Sequence, residues 1–341
     1  MRQYLCRRAA TAIEVDGDIS KSVWQSAPWS EDFVDIEGDI RPLPKFRTRM
    51  KMLWDDEYLY VAAELEEPNV WGTLTERDSI VFYDNDFELF LDPDGDNQNY
   101  VELEINALGT VWDLLMTKPY RDGGMPMSGW QFKGMRTGVK VQGAINDPSQ
   151  PSQSWTVEIA LPWKALKEAC RTACPPRPGD LWKANFSRVE WQVRVEDGRY
   201  VKLAGVAEDN WTWSPQGVVD LHRPEHWGNL QFCGRDSEGV EQDNSAVARE
   251  LLHRVYYAQR DYRNAHGVWA SHLNDLDFES ELPIELYATP SYFEAVFCDV
   301  GCEWHIGADS YFWKGESYES KCVRGECEFR PDFGAPNIDF K

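Results

Sequence analysis

Two runs in the first third of the chain alternate apolar and polar residues with a period of two. Phe87, Leu89 and Leu91 interleave with Asp86, Glu88 and Phe90, and Val101, Leu103 and Ile105 interleave with Glu102, Glu104 and Asn106. Only an extended strand sends successive side chains to opposite faces, so this period excludes a helix. Between the runs lies DPDGDNQN (92–99), a dense set of turn-forming residues. The same grammar recurs at 50–54 and 58–65, joined by Asp55, Asp56 and Glu57, and at 138–143, 155–161 and 183–191. One short helix is expected before residue 232, over 162–170, with Pro162 at its start. Many short antiparallel strands with Gly- and Pro-rich turns predict an all-β protein, an immunoglobulin-like or jelly-roll-type sandwich.

Composition changes after Phe232. We read residues 1–233 as the sandwich, 234–244 as a polar, acidic linker and 245–341 as a smaller α+β appendage. In the last segment Val247, Leu251, Val255, Gln259 and Tyr262 recur at helical spacing, and Gly267 lies where that helix ends. Strands are expected at 285–288, 293–298 and 303–307, so the appendage is one long helix on a small antiparallel sheet. It carries no readable chemistry.

The charge balance narrows the partners. With 58 acidic against 35 basic residues the formal net charge is -23, which argues against nucleic acid, since phosphate contacts require clustered Lys and Arg. A neutral polysaccharide or a cation is the more natural partner. No stretch reaches the length of a membrane span. Residues 1–10 lack the apolar run of a secretion signal, so a secreted or cell-surface protein and a cytoplasmic one both stay open, as does the oligomeric state. The eight Cys leave three readings. Cys298, Cys302, Cys322 and Cys327 form two disulfides, stay as thiols or bind zinc, while Cys170 and Cys174 read as small core residues or thiols.

The segment 210–232 holds three Trp, two His, two Pro and an Arg. Flat indole faces beside fixed polar groups suit a sugar ring, whose C–H face stacks while its hydroxyls find hydrogen-bond partners. The competing reading is a closing strand whose tryptophans plug one end of the sandwich.

Several stretches in order resemble the family 9 carbohydrate-binding modules: DNDFELFLDPDGD (84–96), YVELEINALG (100–109), WTVEIALPW (155–163), NFSRVEW (185–191), WSPQG (213–217) and WGNLQF (227–232). The resemblance covers roughly residues 14–232 and looks closest to stand-alone family 9-like proteins. It implies a sandwich of the kind shared with DOMON domains, which holds sugars between two aromatic rings and often carries structural calcium. The ring positions correspond to Trp71 and to Trp211 or Trp213, with an insertion over 73–83 between Trp71 and the following strand. Candidate polar partners are Asp86, Asn106, Arg121, Arg188, Glu190 and Gln216. Arg188 has a second reading, a buried ion pair with Glu88 or Glu104. Asp92, Asp94, Asp96 and Asn97 space oxygen donors like the first half of an EF-hand loop, without the distant Glu. No cofactor is required by the resemblance, and Ca²⁺ at this loop is a structural candidate.

Two other functions are weighed. Asp86 with Glu88, or Glu102 with Glu104, supplies paired carboxylates for glycoside hydrolysis, although glycosidase pairs normally face each other across a cleft. Nothing resembles a nucleophile elbow, a Ser-His-Asp set, a zinc-protease helix or a phosphate loop. A DOMON-type haem module would need ligands such as Met116, Met125, Met127, His222 or His226. A scaffold that has lost sugar binding is the remaining alternative. The expected function is non-catalytic binding of a mono- or oligosaccharide, or of polysaccharide chain ends, in carbohydrate catabolism.

Overall fold

The computed structural model describes residues 1–234, 239, 241–299 and 302–315. They form two units, Met1–Ala246 with Asp309–Tyr311, and Val247–Ala308 with the chain from Phe312.

The first unit is built from strands. These are β1 (Gln3–Arg8), β2 (Val34–Asp35), β3 (Thr48–Trp54), β4 (Tyr58–Glu66), β5 (Asp86–Asp92), β6 (Tyr100–Asn106), β7 (Val111–Met116) and β8 (Pro126–Met127). Then come β9 (Arg136–Gln142), β10 (Ser154–Pro162), the short helix α1 (Trp163–Leu166), β11 (Leu181–Glu190), β12 (Val193–Glu196), β13 (Arg199–Lys202), β14 (Asp209–Thr212) and β15 (Gly228–Cys233). The main sheet runs β8-β7-β6-β5-β11-β15-β1-β3-β4-β10-β9, with β14 on β11 and β2 on β14. It curls on itself to make the expected sandwich. One buried cluster takes Met50, Met52, Val61 and Val157 from one half and Phe87, Leu89, Phe186 and Leu230 from the other.

The alternating runs became the ladder they predicted. β5 and β6 are antiparallel, with Phe87 opposite Ile105 and Leu89 opposite Leu103, and β3 and β4 form the expected hairpin. Strand β1 was not read from the sequence. Of its six residues it buries only Tyr4 and Cys6, yet it pairs in parallel with both β15 and β3. The helix expected over 162–170 is shorter. Pro162 ends β10 and caps α1, and residues 167–169 are a 3-10 turn; so short a helix has little stability of its own. One glycine is dictated by space as well as by dihedral. Gly17 has φ +86°, and a Cβ there would meet the Val139 carbonyl carbon at 2.6 Å.

The second unit has helix α2 (Ala246–His266) and strands β16 (Ile284–Ala288), β17 (Phe293–Asp299), β18 (Cys302–Gly307) and β19 (Phe312–Lys314), paired in that order. Ala248, Leu251, Leu252, Val255 and Tyr256 pack with Phe293, Ala295, Phe297, Ile306 and Phe312. Val247, expected on the buried side, is 51% exposed, because the apolar stripe runs through the 248/251/252/255 positions. Gly267 ends the helix at φ +77°, its N–H donating to the Arg263 carbonyl. Cys6, Cys170, Cys174, Cys233 and Cys302 are present as thiols; Cys322 and Cys327 lie outside the described residues. Among the described residues no helix is long and apolar enough to cross a membrane.

Candidate functional site: an acidic face on β5 and β6

Because β5 alternates, placing Phe87, Leu89 and Leu91 in the main core turns Asp86, Glu88 and Phe90 to the opposite face. The register with β6 sets Glu88 directly opposite Glu104, Asp86 opposite Asn106 and Phe90 opposite Glu102. On the other side β11 sets Ser187 opposite Glu88. Four carboxylates therefore share one face, and none is more than 6% exposed. Asp86, Glu88 and Glu104 each offer an oxygen within 4.8 Å of the others.

Burial dominates the electrostatics. It pushes the Glu88 carboxyl up to about 7 and Glu102 up to about 8, and holds Asp86 and Glu104 well above the usual carboxylate range. Backbone donors reach only part of the cluster: Phe82 N–H donates to Glu104 Oε2 (3.0 Å) and Val189 N–H to Asp86 Oδ1 (3.2 Å). Asp86 Oδ2, Glu88 Oε2 and Glu102 Oε2 have no hydrogen-bond partner.

Aromatic residues stand around the acids. Tyr120 is 47% exposed, and burial, with the negative charge of Glu102 and Glu104, pushes its phenol up to about 12. Trp112 is cross-strand from Glu104. His222 lies with its ring edge-on to Tyr120 (4.5 Å between centroids), its Nδ1 2.8 Å from the Tyr100 hydroxyl and its Nε2 4.0 Å from Glu102 Oε2. Arg121 fixes this segment, donating to the His222 carbonyl (2.7 Å) and to Glu225 Oε2 (3.0 Å). Carboxyl groups bordered by the half-exposed ring of Tyr120 can serve a polyhydroxylated ring, the phenol stacking one face and the carboxyls hydrogen-bonding its hydroxyls.

The family model for "Carbohydrate family 9 binding domain-like" proteins matches residues 15–232. The chain belongs to this family. A solved Bacteroides uniformis structure, described as a candidate carbohydrate-binding protein, is 16% identical with a TM-score of 0.51, covering 68% of this chain and 99% of its own. It has the same fold. Two structures of a family 9 carbohydrate-binding module from Caldicellulosiruptor kristjanssonii, one with cellotriose and one with glucose, are each 16% identical. Their TM-scores are 0.45 and 0.44; they cover 71% and 70% of this chain and 100% of their own. No curated protein matches the chain.

Within the family 9 unit, the residues expected from sequence separate onto different faces. Trp213 is wholly buried, edge-on to Phe186 at 6.0 Å, with its indole N–H donating to Glu31 Oε2 (3.2 Å). Trp211 packs edge-on to Phe46 at 6.2 Å, and Trp71 is buried as well. All three rings are covered on both faces, as the closing-strand reading anticipated for 211 and 213, because apolar indole is worth most when desolvated.

Arg188 is also a core-side residue. It shares the parity of Phe186 on β11, so it points away from Glu88 and Glu104, the partners the ion-pair reading gave it. Its guanidinium donates instead to Glu67 Oε2 (2.7 Å), Glu190 Oε2 (2.7 Å) and the Glu66 carbonyl (2.8 Å), beside the Trp211 ring. Glu190 belongs to that same network, tied further to Asn85 (2.9 Å). Asn106 links the 106–110 turn to Leu74 and Asp84, and Gln216 is buried with its amide donating to the Ser214 carbonyl. Of the expected ligand residues, Asp86 is on the acidic floor and Arg121 braces its rim. Tyr120 and His222 were not singled out for the site. The only sequence signal for Tyr120 was its place beside Arg121 in a turn-rich loop.

The second acidic group is the 92–97 loop. Asp92, Asp94 and Asp96 offer oxygens within 4.8 Å of one another. Gly95 and Asn97 adopt φ +64° and +69°, and their N–H groups donate to Asp92 (2.9 Å each). Asp94 Oδ1 has no hydrogen-bond partner, while the Asn97 amide donates to the Ser310 carbonyl (2.9 Å). Three hard oxygen donors in a tight turn fit a calcium-type ion.

Proposed function

We propose that the first unit is a non-catalytic carbohydrate-binding module whose site is the acidic face of β5 and β6, with a mono- or oligosaccharide as ligand. The observation that carries this reading is the set of buried carboxylate oxygens without a hydrogen-bond partner, Asp86 Oδ2, Glu88 Oε2 and Glu102 Oε2, next to the half-exposed ring of Tyr120. A buried acceptor without a donor is costly, and sugar hydroxyls are donors of the right kind. Stacking on Tyr120 contributes about 1–2 kcal/mol, which with the hydrogen bonds to the carboxyls places the affinity at about micromolar to millimolar. Family membership supports the same reading, and the process in which we place it is carbohydrate catabolism. The 92–97 loop is proposed as a structural Ca²⁺ site with Asp92, Asp94 and Asp96 as its carboxylates.

The test is calorimetric titration with glucose, cellotriose and a panel of other saccharides. Tyr120→Ala and Glu102→Gln should each weaken binding about 10-fold, the equivalent of roughly 1.4 kcal/mol, with the fold retained. Wild-type affinity in both variants would move the site elsewhere, and silence across the panel would end the carbohydrate reading.

A further inference from the structure

We propose that Cys170 and Cys174 form a redox-active thiol pair that closes to a disulfide in exchange with a small-molecule disulfide of the glutathione class. Contact between the two sulfurs is the first argument. The Cys170 and Cys174 thiols are hydrogen-bonded to each other, and Cys174 Sγ also lies 3.4 Å from the Trp163 carbonyl oxygen. Closing an existing sulfur–sulfur contact to a bond of about 2.05 Å moves one surface turn and leaves the sheet in place. That turn is held where it is. The Cys170 N–H donates to the Lys167 carbonyl (3.3 Å), the Arg171 N–H donates to Asp94 Oδ2 (3.1 Å), and the Arg171 guanidinium lies 3.4 Å from Asp96 Oδ2. The pairing is therefore built into the fold and is not a chance meeting of two loose side chains.

Reactivity and access follow from the surroundings. The hydrogen bond from Cys170 holds the Cys174 thiol below its ordinary value, with help from the Lys167 ammonium, although burial opposes it. The same bond, together with burial, pushes Cys170 up. Cys174 is thus the attacking thiol and Cys170 the resolving one. Both are half-buried, with Arg171 and Thr172 exposed between them, so a small reagent reaches them. Cys6 and Cys233 are no rivals, since both are buried and burial pushes both thiols up. A metal is the poorer occupant. Structural zinc takes four ligands, and among the described residues the pair belongs to no group of three or more Cys, His, Asp or Glu placed to share an ion.

In the exchange the Cys174 thiolate attacks one sulfur of the reagent, forming a mixed disulfide and expelling one thiolate. The Cys170 thiolate then attacks Cys174 Sγ, forming the Cys170–Cys174 bond and expelling the second. The two protons lost by the protein end on the two released thiols, and the two electrons reduce the reagent's S–S bond. Nothing in this depends on the carbohydrate reading.

The experiment uses the full chain, reduced, freed of reductant and exposed to oxidised glutathione. Remaining thiols are blocked with N-ethylmaleimide, and the protein is cut after Glu, because Arg171 lies between the two cysteines. By mass spectrometry the peptide that starts at Ala169 should carry no maleimide and weigh two hydrogens less than its reduced form. Dithiothreitol should restore both labels. Limiting iodoacetamide on the reduced protein should label Cys174 about 10-fold faster than Cys170. In Cys170→Ser, which leaves the attacking thiol without its resolving partner, glutathione should stay attached to Cys174. Maleimide on both cysteines after oxidised glutathione, a glutathione adduct that persists on either in wild type, or a bond from either to another cysteine would overturn the proposal. Equal labelling of the two by iodoacetamide would overturn their assigned order. These readouts use the wild-type chain, so they decide the matter even if Cys170→Ser fails to fold.

Discussion

Glu88 on β5 and Glu104 on β6 are cross-strand partners, and both are buried. Like groups directly opposed in a ladder repel when ionised, so this pair weakens the sheet unless it is protonated or bridged. In EDTA, Glu104→Gln should be at least as stable as wild type, and more stable by about 1 kcal/mol at pH 8, as replacement of uncompensated buried charge predicts. Gln keeps an acceptor for Phe82 N–H. Urea denaturation of the two proteins at pH 8 checks this, and a less stable Glu104→Gln would contradict it.

Trp213 is a core residue, and its removal should show as such. Trp213→Ala should cost about 3–5 kcal/mol, the range for deleting a large buried ring. Tyr120→Ala, at an exposed ring, should leave the denaturation midpoint within the error of measurement. A stable Trp213→Ala protein that no longer binds sugar would return the indole to the binding surface.

Arg188 joins Glu67 and Glu190 inside the protein. Arg188→Ala strands two carboxylates and should cost about 3–5 kcal/mol. Arg188→Lys should restore only part of this, because one ammonium cannot reproduce the fork that reaches Glu67, Glu190, Thr48 and the Glu66 carbonyl together. Chemical denaturation of the two variants against wild type gives the ranking.

His222 gives the fold a pH dependence. Burial pushes its imidazole from 6.5 down to about 4. The unfolded chain therefore binds a proton in this window that the folded chain refuses, and stability rises with pH there. The contribution is complete above about 6.5 and is lost progressively as pH falls toward 4. The raised carboxyls Glu88 and Glu102 act in the opposite sense, so the measurement is a difference. Stability of wild type minus His222→Asn, followed by urea denaturation from pH 7.5 to 4, should decline as pH falls, and a flat difference would contradict a buried neutral His222.

Much of the architecture was legible because it is written locally. The period-two runs at 87–91 and 101–105 needed only the pleat of a strand to become β5 and β6, and Asp55 to Glu57 needed only turn chemistry to join β3 and β4. Strand β1 was hidden because its six residues bury just two side chains and gain their partners from β15 and β3, far away in the chain.

The site was legible only in part. Alternation established by itself that Asp86, Glu88, Glu102 and Glu104 lie opposite the core residues, and the ordered motifs established the family. It did not determine whether that second face meets water. This was decided by tertiary contacts: Phe82 N–H docked on Glu104, and the 214–227 segment folded back so that His222 and Trp227 meet Tyr100. The same holds for the tryptophans and Arg188. Their side-chain types fit a binding surface or a core equally well. Burial depends on which distant segment covers a residue, and no local pattern in the sequence encodes that.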